Sequence, residues 1–379
     1  MTLPPLALYV HLPWCVQKCP YCDFNSHAMR DALPERIYRQ SLLADLDQTL
    51  AESAGRAISS VFFGGGTPSL FSAQTIAAVL QAMRQQGRLT RTAEITLEAN
   101  PGASDAGRFT GYREAGVNRL SIGAQSFDNA QLQALGRIHD SRQITAAFEA
   151  ARRAGFDNIN IDIMHGLPEQ TLAAALDDLE CAIALRPEHL SWYQLTLEPG
   201  TPFHHRPPPL PGEDQRWEIQ QQGQRLLRQA GFRQYEVSAW ARPYRRSRHN
   251  LNYWQFGDYL GIGAGAHGKL TDPQGRIQRR VKPKLPQRYM EDALATKVTA
   301  LEDRAEIALE FLMNALRLNQ GFSLRQFEQR TALPRAELLA RLQPAIDRGL
   351  LSATTERVRP TATGRRFLDT ILTELLPEA

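Results

Sequence analysis

The chain is poor in cysteine and has no long apolar run, and both shortages narrow its class. Only 4 of its 379 residues are cysteine, and three of them, Cys15, Cys19 and Cys22, fall within one short segment. That is too few for a disulfide framework, and the crowding is typical of metal binding in a reducing compartment. No segment approaches the roughly 20 apolar residues that cross a bilayer. The start of the chain lacks the basic flank and apolar core of a signal peptide, so we expect a cytoplasmic protein.

The chain also lacks a strong excess of charge of either sign. A formal net charge of +4 is too small to indicate nucleic-acid binding, and we expect none. A local cluster of arginines is typical of a solvated face, although a nearby anionic ligand or membrane surface is the alternative. The cluster consists of Arg242, Arg245, Arg246 and Arg248. The fourth cysteine, Cys181, falls in an amphipathic segment and is predicted to be a small core residue.

The first two-thirds of the chain alternates short apolar runs with segments of helical period. Strands are predicted at residues 7–12, 60–63, 94–98, 119–122, 158–163 and 190–195. Helices are predicted at residues 36–52, 72–85, 143–154 and 171–185. Such alternation predicts an α/β fold with a parallel sheet and right-handed crossovers. Alone, it does not decide between an open doubly wound sheet and a complete or partial barrel.

The last part of the chain indicates a second, smaller unit. Helical period returns at residues 306–316, 324–330 and 335–348, followed by a short β-wing and a helix from Gly364. This order predicts a mainly helical, winged-helix-like domain, which we interpret as a packing or docking module rather than a DNA-binding one. The predicted domains are a core at residues 1–240, a connecting segment at 241–300 and the C-terminal domain at 301–379.

The segment that carries the chemistry follows the first predicted strand. Cys15, Cys19 and Cys22 have C-x3-C-x2-C spacing in a single loop. Three thiolates can bind three irons of a [4Fe-4S] cluster, whereas fully protein-bound clusters use four cysteines. The open iron suits the amino and carboxylate groups of S-adenosylmethionine. The alternative is a zinc site completed by His11 or His27, but structural zinc usually joins knuckles that are distant in sequence.

With the aromatic Tyr21 before its last cysteine, this motif resembles the radical S-adenosylmethionine superfamily. The resemblance implies a full or partial (β/α) barrel with the cluster at the carboxyl ends of the strands, and we predict a partial, TIM-like (β/α) barrel. It also implies that the run Gly64-Gly65-Gly66-Thr67-Pro68, after the second strand, holds the methionine amino group. Glycines in such a turn let the backbone approach a ligand closely.

Polar residues mark the carboxyl ends of four successive strands, where barrel folds keep their ligand contacts. These residues are Glu98, Gln125, Asp162 and Gln194. Residue by residue, the chain is similar to the oxygen-independent coproporphyrinogen III oxidase group. That similarity implies S-adenosylmethionine contacts by Tyr9, Tyr21, Gly65, Gly66, Thr67, Glu98, Gln125, Arg137 and Asp162.

Two departures separate the chain from those oxidases. Their cysteine loop continues to a further cysteine two residues after the last ligand, where this sequence has Phe24. They also carry an N-terminal extension that helps to enclose the porphyrinogen, whereas the first strand here is predicted close to Met1. Since radical decarboxylation needs an enclosed site, both departures weaken the oxidase interpretation.

A second motif resembles the heme chaperones related to those oxidases. The segment His249-Asn250-Leu251-Asn252-Tyr253-Trp254 matches their H-N-x-x-Y-W signature. His249 can offer an imidazole to iron, and Tyr253 and Trp254 can offer flat faces to a macrocycle. Guanidinium groups suited to heme propionates are close in sequence at Arg245, Arg246 and Arg248.

The histidine motif also has a purely structural interpretation. His249 and Asn250 could satisfy local backbone groups while Trp254 packs in a core. Weaker candidates for iron contact are His267 in a glycine-rich stretch, and His204 with His205.

The sequence therefore predicts a heme chaperone with three ligands, a [4Fe-4S] cluster, S-adenosylmethionine and heme. The predicted partner is a membrane respiratory heme protein, and a peripheral contact with the inner membrane face and a homodimer are both compatible with this prediction. The alternative is an oxygen-independent coproporphyrinogen III oxidase, which would use the same cluster for radical oxidative decarboxylation. A third hypothesis, a zinc-stabilised barrel with a docking domain, requires a protein without iron.

Overall fold

Strands and helices alternate through the first part of the chain in the computed structural model, which describes residues 3–102 and 107–376. The six predicted strands are present as β1 (Leu6–Leu12), β4 (Ile58–Gly65), β5 (Leu89–Ala99), β6 (Arg119–Gln125), β7 (Ile159–His165) and β8 (His189–Gln194). Short strands β2 (Trp14–Cys15) and β3 (His27–Ala28) pair within the cysteine loop. The first two residues of the predicted core and the last three of the predicted C-terminal domain lie outside the described ranges.

Eight helices of the described ranges connect or follow these strands, and the longer ones bury one face. They are α1 (Glu35–Ala51), α2 (Ala73–Gln85), α3 (Phe109–Ala115), α4 (Asn129–Ala134), α5 (Ser141–Arg153), α6 (Leu172–Ala184), α7 (Pro202–His205) and α8 (Glu213–Gln229). In α5, Ile144, Ala147, Phe148 and Ala151 are buried at helical spacing. The helix begins at a capping box in which Asp140 and Gln143 satisfy each other's backbone N–H groups.

The central sheet is mostly parallel and open. Its strand order is β14-β13-β12-β11-β1-β4-β5-β6-β7-β8-β10-β9, where β11 is Asp258–Ile262, β12 is His267–Thr271, β13 is Ile277–Val281 and β14 is Lys297–Leu301. Strands β1 and β4 to β8 run parallel to their neighbours, while β9 (Arg233–Gln234) and β10 (Ala239–Ala241) add an antiparallel edge after β8. Across the described ranges the sheet stays open, which is what distinguishes a partial barrel from a closed one. The predicted fold class is therefore confirmed.

Residues 241–300 do more than connect two domains. They contain α9 (Arg248–Trp254), β11 (Asp258–Ile262), β12 (His267–Thr271), β13 (Ile277–Val281), α10 (Pro286–Glu291) and β14 (Lys297–Leu301). Strand β11 pairs in parallel with β1, and β12, β13 and β14 follow it as an antiparallel meander. This segment, predicted as a connection, thus extends the core sheet from its β1 edge.

The C-terminal unit has its own core. It comprises α11 (Arg304–Ala315), β15 (Phe322–Ser323), α12 (Leu324–Thr331), α13 (Arg335–Asp347), β16 (Leu351–Ala353), β17 (Arg357–Pro360), α14 (Ala362–Arg366) and α15 (Leu368–Glu374). Three buried rings, Phe311, Phe322 and Phe327, meet edge to face at its centre. Strands β16 and β17 follow the helices as a wing, and β15, from between α11 and α12, completes a three-stranded sheet in the order β15-β17-β16, which gives the winged-helix-like shape that the sequence predicts.

Helix α6 corrects one prediction. Its buried face is formed by Ala175, Asp178, Leu179 and Ala182, at spacings of three and four residues, so Cys181 points outward and is exposed. The prediction that Cys181 is a core residue was wrong because Asp178, a polar residue, takes a buried position on that face. In the described part of the chain, no helix is both long and apolar enough to cross a membrane.

Candidate functional site

The cysteine loop is tied to the turn that follows β4. The backbone N–H of Thr67 donates to the Trp14 carbonyl at 2.7 Å. A Cβ atom at Gly66 would lie 2.5 Å from that same carbonyl oxygen, so only glycine allows the approach. Gly65 has φ of +118°, a conformation that L side chains rarely adopt. The glycine run thus serves first to hold the loop against the strand ends.

Cys15, Cys19 and Cys22 line a cavity of about 710 Å³ at the carboxyl ends of the parallel strands, which we call the main cavity. In the described residues, no three His, Cys, Asp or Glu side chains converge closely enough to hold a single metal ion. A tetrahedral zinc ion needs its donors about 2.0–2.3 Å from one centre, whereas a cubane spreads three thiolates over three irons. The donor set therefore fits a cluster better than zinc.

The two histidines of the zinc alternative do not complete a zinc site. In His11, Nδ1 lies 3.0 Å from the Tyr9 hydroxyl and Nε2 lies 2.9 Å from the Asn25 carbonyl, so both ring nitrogens are engaged. His27 belongs to β3 and, like His11, does not line the main cavity. The zinc interpretation thus has no fourth ligand in place.

A cation lies beside the thiols. Arg137 donates to Cys19 Sγ at 3.6 Å, to Asn100 Oδ1 at 2.7 Å and to the Gly123 carbonyl at 3.0 Å. Asn100 in turn donates to Thr67 Oγ1 at 2.9 Å. This chain of contacts connects the cysteine loop, the glycine turn and β6, and it places a guanidinium charge beside Cys19 Sγ. Asn100 was missed from the sequence, although it lies only two residues after Glu98.

Two acidic residues face the main cavity from β5 and β7. Burial, followed by the nearby carboxylate of Asp162, raises the pKa of Glu98 to about 8, against the lowering effect of a hydrogen bond from the Gly65 N–H at 3.2 Å. Burial also raises the pKa of Asp162, although Ser121 and Asn160 donate to its two oxygens at 2.9 Å each. Such partly desolvated carboxylates are typical of ligand sites.

The remaining cavity wall comes from aromatic and amide groups. Gln125 has φ of 72° at the end of β6, and its Oε1 accepts from the Tyr193 hydroxyl at 2.8 Å. Tyr21 packs near Phe203, with ring centroids 6.5 Å apart. Tyr193 and Arg317 also line the cavity and were not predicted. Alternation along β8 could have indicated Tyr193, whereas Arg317 comes from the C-terminal domain and left no sequence signal.

Eight of the nine predicted S-adenosylmethionine contacts line the main cavity together with the three cysteines. The exception is Tyr9, which lines a second, neighbouring cavity of about 440 Å³. The two cavities share Phe24, Gly65 and Glu98 as a common wall. The structure therefore brings eight of these residues together in the main cavity, and it places Tyr9 on the other side of the shared wall, in the second cavity.

The predicted heme residues of α9 are dispersed. His249 is only 2% exposed; its Nδ1 lies 3.1 Å from Ser60 Oγ, and its ring stacks on Phe62 at 5.0 Å. Burial lowers the pKa of His249 to about 3. Neither of the two cavities includes His249, whereas Tyr253 lines the second one. Trp254 instead packs under the guanidinium of Arg317, 4.3 Å from the ring centroid.

Two of the arginines near α9 also lie away from the cysteines. Arg248 donates to the Thr92 carbonyl near the start of β5, and Arg245 pairs with Asp157 at 3.3 Å in the turn before β7. Both positions are at the amino ends of the strands, opposite the cysteines. The pairing of these arginines with heme propionates therefore stays a prediction, and it would take place at the end of the sheet opposite the cysteines.

Two family models match the chain. The Radical SAM superfamily model matches residues 9–182, and the HemN C-terminal domain model matches residues 303–367. The chain belongs to the radical SAM superfamily, in its HemN-like group.

Full-length relatives narrow this class further. The heme chaperone HemW of Escherichia coli is 47% identical over 99% of both chains. The mitochondrial radical S-adenosyl methionine domain-containing protein 1 of Mus musculus is 39% identical over 98% of this chain and 87% of its own. The solved structure of coproporphyrinogen III oxidase (HemN) from Escherichia coli superimposes with a TM-score of 0.82 at 26% identity, covering 98% of this chain and 90% of the oxidase.

Proposed function

We propose that the chain is a heme chaperone that holds a [4Fe-4S] cluster through Cys15, Cys19 and Cys22. The observation that carries the chaperone role is the 47% identity to HemW over essentially the whole of both chains. The main cavity supports the cluster, because three thiols, a guanidinium and two perturbed carboxylates line it together. When bound to the cluster, S-adenosylmethionine supplies radical chemistry on one-electron reduction.

The residues around the cluster site have distinct tasks in this proposal. The backbone of Gly65, Gly66 and Thr67, with Glu98, would receive the amino end of S-adenosylmethionine. Gln125 and Asp162 would contact its polar groups from β6 and β7. Arg137 would neutralise thiolate charge at Cys19, since its guanidinium already lies 3.6 Å from that sulfur. Tyr21, on the cysteine loop, would close the cavity from above.

Delivery of heme to a membrane respiratory protein belongs to the same proposal. A heme-loaded chain would transfer its cargo to an apo-cytochrome in detergent or in vesicles, and the spectrum of the acceptor would report the transfer. A peripheral membrane contact predicts co-sedimentation with anionic vesicles that falls with salt. A homodimer predicts a doubled mass in light scattering. Transfer to free apo-cytochrome but never to a membrane-bound one would contradict a membrane acceptor.

The alternative function is that of a coproporphyrinogen III oxidase. The observation that favours it is the fold, which matches the oxidase HemN over 98% of this chain. Phe24 opposes it, because this ring occupies the position of a further cysteine in the oxidases and is 58% exposed at the wall between the two cavities.

One experiment separates the two functions. Anaerobically reconstituted chain is titrated with hemin and, in parallel, incubated with coproporphyrinogen III and S-adenosylmethionine under reducing conditions. We expect about four irons per chain, stoichiometric hemin binding and no decarboxylated product. Product formation without retained hemin would establish the oxidase instead.

A further inference from the structure

The second cavity lies beside the main cavity, against the β1 edge of the parallel strands. It opens between β1, the cysteine loop, α9 and the strands β11 and β12. Its wall toward the main cavity is formed by Gly65 and Glu98, which line both spaces. A ligand in the second cavity would therefore lie next to the predicted S-adenosylmethionine site without occupying it.

Aromatic rings dominate this cavity. Tyr9, Phe24, Tyr253 and Tyr259 all line it, and the last two meet edge to face with centroids 4.4 Å apart. Phe24 leaves 58% of its surface exposed, so its ring is accessible to a ligand. Flat, partly exposed rings around a concave space suit a planar aromatic ligand, whereas the main cavity presents carboxylates, amides and thiols.

Two imidazoles line the second cavity, and only one is available to a ligand. Both nitrogens of His11 are engaged by Tyr9 and Asn25, as described above. His267, the first residue of β12, is exposed to the cavity. Partial burial and then the positive charges of Lys284 and Arg279 lower the pKa of His267, which favours the neutral ring. A neutral imidazole is the form that binds iron.

Positive charge lies at the rim of the same cavity. Arg279 on β13 donates to the Tyr259 hydroxyl at 2.9 Å, although it also pairs with Glu310. Lys284 is exposed, and its carbonyl accepts from Asn25 at 3.0 Å. Among the described residues no ion pair holds Lys284, so its ammonium group can meet a carboxylate such as a propionate.

The buried His249 contacts this cavity from beneath. Its ring meets Tyr253 edge to face at 5.0 Å and stacks on Phe62, which in turn stacks on Tyr9 at 6.3 Å. His249 thus supports two rings of the cavity wall while staying out of reach of any ligand in it. This gives the histidine of the H-N-x-x-Y-W motif a positioning role.

We propose that the second cavity is the heme site, with His267 as the iron ligand, Tyr253 and Phe24 as ring contacts, and His249 as a positioning residue. This assignment rests on the proposed heme-chaperone function and names the residues that carry it out. Heme is here the cargo, and the shared wall at Glu98 places it next to the cluster-side cavity.

The test is a hemin titration of cluster-loaded wild type and variants, followed by visible absorption and magnetic circular dichroism, which report the axial ligand. His267→Ala should weaken hemin binding about tenfold or more and remove the imidazole signature. His267→Met should retain hemin with a changed axial signature, which a merely structural role for His267 would not produce. His205→Ala removes an exposed histidine outside both cavities and should leave titration and spectrum unchanged.

The positioning role is tested separately. His249→Ala should weaken hemin binding while leaving the axial signature of the bound fraction intact, and His249→Phe, which keeps a ring against Tyr253, should restore affinity. If wild type binds hemin but His267→Ala keeps both affinity and signature, the site assignment is overturned and the chaperone function stands. If His249→Ala removes the signature instead, His249 is the ligand and the proposal is wrong. Wild type that binds no hemin overturns the chaperone function and this assignment together.

Discussion

The two cavities of this protein share a wall yet differ in almost every chemical respect. The main cavity collects groups from the carboxyl ends of successive parallel strands, and its lining combines thiols, carboxylates, amides and guanidinium groups with the rings of Tyr21 and Tyr193. The second cavity forms where β11 and β12 extend the sheet past β1, and its lining is mostly aromatic with two imidazoles. One suits an iron–sulfur cluster with a polar, charged cofactor, and the other suits a flat apolar cargo.

The difference shows how one sheet can serve two ligands. The carboxyl ends of parallel strands lie along one edge of the sheet. The residues at these ends therefore lie close together, regardless of the helices that connect the strands. Beyond β1, the sheet is extended by the parallel β11 and then by the antiparallel β12, and this turn of the chain brings aromatic side chains together from the strands and α9. Glu98 and Gly65, in the shared wall, are the residues through which occupancy of one cavity could affect the other.

The largest expected effect is the loss of the iron–sulfur cluster from the main cavity while the second cavity keeps its function. Cys19→Ala should abolish the cluster, lowering bound iron from about four per chain to near zero, because two thiolates cannot hold a cubane. Hemin binding should persist, since no cysteine lines the second cavity. Iron and sulfide assays with a parallel hemin titration measure both. Cys181→Ser, at an exposed thiol on α6, is the control and should change neither. Joint loss of cluster and hemin would show that the cavities are not independent.

The next effect concerns the shared wall and depends on pH. Because the folded-state pKa of Glu98 is raised from its ordinary 4.5 to about 8, the folded protein holds this proton longer than the unfolded chain. The resulting stabilisation is complete below about pH 4.5 and is lost as the pH rises through 8. Asp162, the acidic group that faces Glu98, strengthens this effect when it is ionised.

Glu98→Gln should therefore flatten the pH dependence of stability. In the cluster-free chain, wild type should lose up to about 4 kcal/mol of unfolding free energy relative to Glu98→Gln between pH 5 and pH 9. Urea unfolding at several pH values measures this. Glu180→Gln, at an exposed position of α6, is the matched control. Parallel pH profiles for wild type and Glu98→Gln would mean that solvent reaches Glu98 freely.

Sequence reasoning located the main cavity well and the second one poorly, for a physical reason. The three cysteines lie in one short segment, and Glu98, Gln125 and Asp162 lie at or near the carboxyl ends of predicted strands, so strand polarity alone brings them together. The six strands were predicted within a few residues because each is a buried apolar run. These features depend on local sequence and on a general rule of parallel sheets.

The second cavity depends on contacts that no local pattern records. The stretch around His267 was identified as glycine-rich, with His267 as a weaker candidate for iron contact. Its fold was not predicted: it forms β11 and the start of β12, and it brings His267 into one cavity with Tyr253. The motif around His249 indicated an imidazole that could bind iron, but it did not indicate whether that imidazole faces a cavity or the core. Which face of α9 is buried is decided by Ser60 and Phe62 on β4, almost 190 residues earlier in the chain.

A smaller effect is expected from the contact through which the C-terminal domain, by way of Arg317, reaches the core and the main cavity. Arg317 pairs with the buried Glu236 at 3.3 Å and covers Trp254, and Asn319 N–H donates to the Tyr235 carbonyl at 3.0 Å nearby. Arg317→Ala should destabilise the chain by about 2 kcal/mol, because a buried carboxylate loses its cation. Thermal unfolding measures this. Arg304→Ala breaks an ion pair whose partners are both 58% exposed and should cost less than about 1 kcal/mol. Equal effects would mean that the contact contributes no more than a surface pair.

The smallest effect concerns the one ring that borders both cavities. Phe24 is 58% exposed, so Phe24→Ala should hardly change stability. If the aromatic cavity binds heme, losing one stacked ring should weaken hemin affinity roughly fivefold, since such a contact contributes about 1 kcal/mol. S-adenosylmethionine affinity, measured by calorimetry on the same cluster-loaded protein, should change less than about twofold, because polar groups dominate the main cavity. Phe24→Leu, which keeps apolar area without a ring, should lie between wild type and Phe24→Ala for hemin. The reverse result, weaker S-adenosylmethionine binding with hemin affinity unaffected, would assign Phe24 to the main cavity. It would also contradict the assignment of the aromatic ligand to the second cavity.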